Sequence, residues 1–129
     1  MARKPQPPLP TPGELELLHV LWRRGEATVR EVHEALPRTG RSGYTTVLKL
    51  LQIMLEKGLV ERDEAGRAHV YRAAIERANT QTHLLNDLAK RAFGGSSHRL
   101  ALHALSEAAT PEELAEVRRL LDRLEDERA

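Results

Sequence analysis

Four side chains between Thr45 and Gln52 are of types that can read nucleic acid. Thr45 and Thr46 offer hydroxyls, Gln52 an amide and Lys49 an ammonium, and no carboxylate intervenes before Glu56. Hydroxyls and amides hydrogen-bond base edges, and a cation without a neighbouring carboxylate can meet phosphate unopposed. Two flanking features extend the pattern. Arg38-Thr39-Gly40-Arg41 is a basic turn, and Ser42 after it has N-cap chemistry. Downstream, Arg67 lies beside a bend where it can reach a phosphate or a minor groove. His69 and Arg72 can add contacts, while Asp63 and Glu64 at the same bend limit them.

Catalytic constellations fail on spacing. His33-Glu34 begins a zinc-protease pattern whose second histidine falls on Pro37. Gly40-Arg41-Ser42-Gly43 is one residue short of a nucleophile elbow. The chain has no cysteine, which removes a thiolate zinc site, a disulfide framework and a cysteine nucleophile. His19, His83, His98 and His103 are scattered without ligand spacing. No cofactor or metal is expected, and an enzyme is disfavoured.

The reading face needs a helix to carry it. Val47, Leu50, Leu51, Met54 and Leu55 recur at three- and four-residue steps, which puts them on one stripe and Thr45, Thr46, Lys49 and Gln52 on the other. Gly58 suits the C-cap. An ordinary amphipathic helix with a solvated face has the same pattern, so its neighbours must decide. Thr11-Pro12-Gly13-Glu14 and Thr28 with Glu31 are capping boxes that open two earlier helices. The first runs to about Arg24-Gly25 with Trp22 as a core anchor, and the second ends at Pro37. Glu26-Ala27-Thr28 between them can form a minimal strand. After the third helix, Val60 and Arg62 alternate into Asp63-Glu64-Ala65-Gly66, and Ala68, Val70 and Arg72 alternate out, which is a hairpin signal. Three helices and a hairpin in this order predict a winged helix-turn-helix with a two-stranded wing.

The rest of the chain reads as helical. Leu84, Leu85, Leu88, Ala89, Ala92 and Phe93 form a stripe that stops at Gly94-Gly95. A short helix holds Leu100, Leu102 and Leu105, and Thr110-Pro111-Glu112-Glu113 opens a last one. In that helix Leu114 and Leu121, and Val117 and Leu124, are each seven residues apart, a helix-pairing seam with Leu120 beside it. Such short amphipathic helices cannot cover one another fully, so pairing with a second copy is predicted, with Leu84, Leu88, Leu114, Val117, Leu121 and Leu124 at the interface. The expected organisation is a proline-rich disordered arm over 1–10, a winged-helix domain over 11–74 and a helical dimerisation domain over 75–129. Charge divides in the same sense: residues 1–72 hold 12 Lys and Arg against 9 Asp and Glu, and residues 73–129 hold 8 against 10. No long apolar run or signal-peptide pattern is present, so a soluble, cytoplasmic protein with no membrane partner is expected.

The stretches TPGELELLHVLWRRGEATVREVHEAL and YTTVLKLLQIMLEKGLVERDEAGRAHVYRA resemble the penicillinase-repressor family, also called BlaI/MecI. The resemblance rests on Leu21-Trp22 ending the first helix, a threonine-led recognition helix, a Lys57-Gly58-Leu59-Val60 exit and a wing ending near Tyr71. It covers roughly residues 11–126. It implies a homodimeric transcriptional repressor on a palindromic double-stranded operator. The family's DNA contacts carry over by position to Tyr44, Thr45, Thr46 and Lys49 and to Arg67 on the wing; Arg41 and Ser42 join them from the preceding turn. A winged-helix protein-interaction module that never touches DNA is the alternative.

Two departures bear on regulation. The family's asparagine-phenylalanine cleavage pair is replaced by Leu102-His103-Ala104-Leu105, which leaves any sensor or protease partner unknown. The Cys-x-Cys motif of copper-responsive relatives is missing, which excludes copper sensing by thiolates.

Overall fold

The computed structural model describes residues 7–37 and 43–129. Its elements run α1 (Pro12–Arg24), β1 (Ala27–Thr28), α2 (Val29–Ala35), α3 (Tyr44–Lys57), β2 (Val60–Asp63), β3 (Val70–Ala73), α4 (Arg77–Ala92), α5 (Ser97–Ala108) and α6 (Pro111–Arg128). The chain divides into two compact units, the second spanning Leu84–Ala129.

Local chemistry sets most helix starts. At Thr11, Thr28 and Thr110 the hydroxyl accepts from the backbone N–H three residues on, and the glutamate there returns a bond to the threonine N–H. Those reciprocal bonds satisfy donors that the helix itself leaves open. For α3 the N-cap is Gly43, with no side-chain cap bond, so the expected cap by Ser42 is corrected. Gly43 takes extended backbone angles and makes the turn without a capping oxygen. Helix α3 ends where Gly58 adopts φ 81°, and Leu59 N–H donates to the Met54 carbonyl at 2.9 Å.

The core of the first unit gathers one stripe from each element. Leu17, Leu18 and Leu21 of α1, Val32 of α2, Val47, Leu51 and Met54 of α3, and Tyr71 of β3 are all buried. Leu50, Leu55 and Trp22 pack against this core half-buried. The Trp22 indole N–H donates to the Ile75 carbonyl at 2.9 Å, tying α1 to the segment after the hairpin. Pro10 is buried, and Pro7 to Pro10 line a cavity with Leu59 and Ile75.

The two-stranded wing is part of a three-stranded antiparallel sheet ordered β1-β3-β2, in which the minimal strand read at Glu26-Ala27-Thr28 joins as β1. Ala27 and Thr28 pair with Tyr71 and Val70. Between β2 and β3 the register sets Glu61 opposite Arg72 and Arg62 opposite Tyr71. Directly opposed residues share a face and successive ones alternate. Arg62 and Tyr71 therefore lie on the core side, and Glu61 and Arg72 on the outer side.

In the second unit Ala89 is buried, while Leu85, Leu88, Leu102, Leu114, Leu120, Leu121 and Leu124 are exposed. Gly94 and Gly95 have φ 59° and 86°, a left-handed pair that ends the turn after α4. The Phe93 and His103 rings meet at 5.8 Å.

Candidate nucleic-acid interface

Helix α3 is anchored from below. Burial of Val47, Leu51 and Met54 fixes its rotation about its own axis. Tyr44, Thr45, Thr46, Lys49 and Gln52 consequently face outward, and all are exposed. Lys49 makes no ion pair among the described residues, so its charge is available to a ligand.

The tyrosine at the helix start is held from the side. Tyr44 is 47% exposed as a residue, yet its ring meets the His33 ring edge-on at 6.0 Å and 81°. His33 belongs to α2, so the two helices of the helix-turn-helix touch at the tip of α3. On the other flank a shallow groove is lined by Val29, Tyr44, Leu48, Arg67, His69 and Tyr71. That groove brings the first turn of α3 and the hairpin together. Arg67, more than twenty residues from Tyr44 in sequence, thus joins the same surface. Arg41 and Ser42 lie outside the described residues, as does Arg38.

The hairpin's three arginines are not equivalent. Arg62 pairs with Glu64, and Arg72 Nε donates to Glu61 Oε2 at 3.0 Å. Arg67 is exposed and has no ion pair among the described residues. Asp63 is also engaged, accepting from the Ala65 N–H at 2.9 Å to shape the turn. A hydrogen bond to Tyr71, with Glu64 adding, raises the Arg62 pKa above its ordinary value despite desolvation. Sequence spacing gave no hint of His33 beside Tyr44, because they belong to different helices and share no local periodic pattern.

The surface carries cations, hydroxyls, an amide and a half-exposed aromatic ring, groups that can donate hydrogen bonds and pair with anions. No group of three His, Asp or Glu that could hold a metal occurs among the described residues. No helix among the described residues is long and apolar enough to cross a membrane.

A profile of the penicillinase repressor family matches residues 10–123. The chain belongs to that family. The transcriptional regulator BlaI of Mycobacterium tuberculosis is 36% identical over 116 residues, covering 88% of this chain and 84% of the relative. The penicillinase repressor of Bacillus licheniformis is 23% identical over 111 residues, covering 85% and 87%. Among solved structures, the Bacillus licheniformis BlaI monomeric form in complex with the blaP half-operator is similar, with a TM-score of 0.50 and 26% identity over 57% of this chain and 90% of that one. This penicillinase repressor homologue is therefore a transcriptional repressor built on a winged-helix DNA-binding fold.

Proposed function

We propose that this repressor acts as a homodimer that sets α3 in the major groove of double-stranded DNA, with the β2–β3 wing on the adjoining backbone, at a palindromic operator. The observation that carries the reading is the common surface of Tyr44, Thr45, Thr46 and Lys49 with Arg67, exposed above a core that fixes α3 in place. Thr45, Thr46 and Tyr44 contact base edges, Lys49 and Arg67 contact phosphates, and Arg41 and Ser42 approach from the preceding turn. The division into a DNA-binding part over 11–74 and a self-associating part over 75–129 belongs to the same proposal, with Leu84, Leu88, Leu114, Val117, Leu121 and Leu124 at the seam.

The mechanism follows from valence. One winged helix makes few phosphate contacts and binds weakly. Two, joined through their second units, meet half-sites about 34 Å apart, one turn of duplex. Tethering makes the second contact intramolecular and multiplies affinity. The work is binding rather than catalysis, in the cytoplasm where the promoter lies, and bound repressor excludes the polymerase.

Duplexes selected by the protein from a random pool provide the test. With such a duplex in a salt-titrated fluorescence assay, Lys49→Ala should weaken binding to all sequences and flatten the salt slope by about 0.9, one phosphate's worth. Thr46→Ala should instead change preference at one base position. If neither alters binding, the face is misassigned, and salt-insensitive failure to retain any duplex favours a protein-interaction module.

A further inference from the structure

The placement of Arg62 differs from that of the other two wing arginines. It sits on the core side of the hairpin opposite Tyr71, and Tyr71 lines the groove that Tyr44 and Arg67 share. Its side chain is 26% exposed, against 56% for that of its partner Glu64. The Arg62 Nε is buried with no hydrogen-bond partner among the described residues. The Nε of the guanidinium is thus unsatisfied beside Tyr71, a residue of that groove, while Tyr71 and the exposed Glu64 carboxylate engage the rest of the group.

We propose that Glu64 is a specificity-determining residue of the wing: it occupies Arg62 in the free protein, and a backbone phosphate displaces it only when α3 has docked in register. This rests on the DNA-binding reading above. Exchanging a carboxylate for a phosphate on one guanidinium is close to an even trade, because the planar fork of arginine can bond two oxygens of either anion. A duplex held loosely gains nothing from the exchange. A duplex fixed by Tyr44, Thr45 and Thr46 brings a phosphate to the wing at high local concentration, and the exchange then proceeds. Exposed ion pairs are weak enough to be displaced in this way. Arg67 supplies the unconditional wing contact, and Arg62 the conditional one.

Glu61 offers an internal control. Its pairing with Arg72 is on the outer face of the same hairpin, so Glu61→Gln removes the same charge without uncovering the cation on the Tyr71 side.

The experiment measures binding of the full chain to a random-sequence duplex and to a duplex selected from a random pool, across a salt series. Glu64→Gln should bind the random duplex roughly three- to tenfold more tightly, with a slope steeper by about 0.9, and discriminate less between the two duplexes. Arg62→Gln in the Glu64→Gln background should cancel all three changes, while Arg62→Lys in that background should keep part of them; circular dichroism melts confirm folding. Glu61→Gln should leave the slope as in the wild type. The proposal is overturned if Glu64→Gln has no effect, if Glu61→Gln acts equally, or if the Glu64→Gln gain survives loss of Arg62, which marks simple repulsion of DNA. Failure of the wild-type chain to retain either duplex is a different result, and removes the DNA-binding reading itself.

Discussion

Lys57, on the last turn of α3, donates from Nζ to the buried Glu14 carboxylate of α1 at 2.8 Å. Glu14 is 1% exposed, and its other oxygen accepts from the Thr11 N–H at 2.9 Å. One carboxylate therefore closes the capping box of α1 and holds the far end of α3. The cation sits where the α3 carbonyls point outward, a position the helix dipole favours. This bond fixes the end of α3 opposite the turn that carries Tyr44, Thr45 and Thr46.

Glu14 should make stability depend on acid pH. Burial disfavours its charged form, but the Lys57 hydrogen bond and the Thr11 backbone bond outweigh this, and its pKa falls below the ordinary carboxylate value. A carboxyl that ionises more readily folded than unfolded stabilises the fold above its unfolded pKa, and that contribution is lost as pH falls through the folded one. Glu14→Ala should cost about 2 kcal/mol near neutral pH, through the lost cap and the lost charged hydrogen bonds. Lys57 is one-third exposed and can return to water, which holds the cost under the ~3–5 kcal/mol of a fully buried broken pair. In urea melts the gap between wild type and variant should be widest near neutrality and shrink towards pH 3. A gap independent of pH would mean that the ionised form contributes nothing.

His33 should matter to DNA binding without touching the salt dependence. Its edge-on contact with Tyr44 orders a half-exposed ring at the tip of α3. Aromatic contacts of this geometry contribute about 0.5–1.5 kcal/mol, or roughly two- to tenfold in affinity. His33→Ala should weaken binding to a selected duplex within that range, and His33→Phe, which keeps the contact, should restore it to within about twofold. The salt slope should stay the same in both, because no phosphate contact is removed. A flattened slope in His33→Ala would reassign the imidazole to direct phosphate contact.

Much of the fold is legible in the sequence because its signals are local. Thr11 with Glu14, Thr28 with Glu31, and Thr110 with Glu113 each mark a helix start within four residues, and all three boxes form. Val47, Leu51 and Met54 announce the buried stripe of α3 by spacing alone. What sequence misses is set by packing. Glu14 and Lys57 are 43 residues apart, and no periodicity links them. Ser42 has capping chemistry and Gly43 has none, yet Gly43 occupies the cap without a side-chain bond. The alternation of Arg62 with its neighbours is visible, but its turn towards Tyr71 needs the strand register.

The exposed leucines of the second unit lead to the last prediction. Leu114, Leu121 and Leu124 lie on one side of α6 at 45%, 51% and 40% exposure, too apolar a stripe to face water without cost. In the proposed dimer, burying a leucine there contributes about 1.5–3 kcal/mol, and a twofold axis would make each contact count twice. Leu121→Asp sets two carboxylates at the seam in place of two apolar side chains, so the dimer should be lost with the helices kept. In sedimentation velocity the variant should run as a monomer, with a helical circular dichroism signal close to the wild type. Affinity for a palindromic duplex should fall by about 100-fold or more, the part supplied by tethering, while binding to a single half-site stays the same. A Leu121→Asp protein that still sediments as a dimer would place the self-association surface elsewhere on the chain. A monomer that keeps full affinity for the palindrome would mean that the two half-sites are read independently.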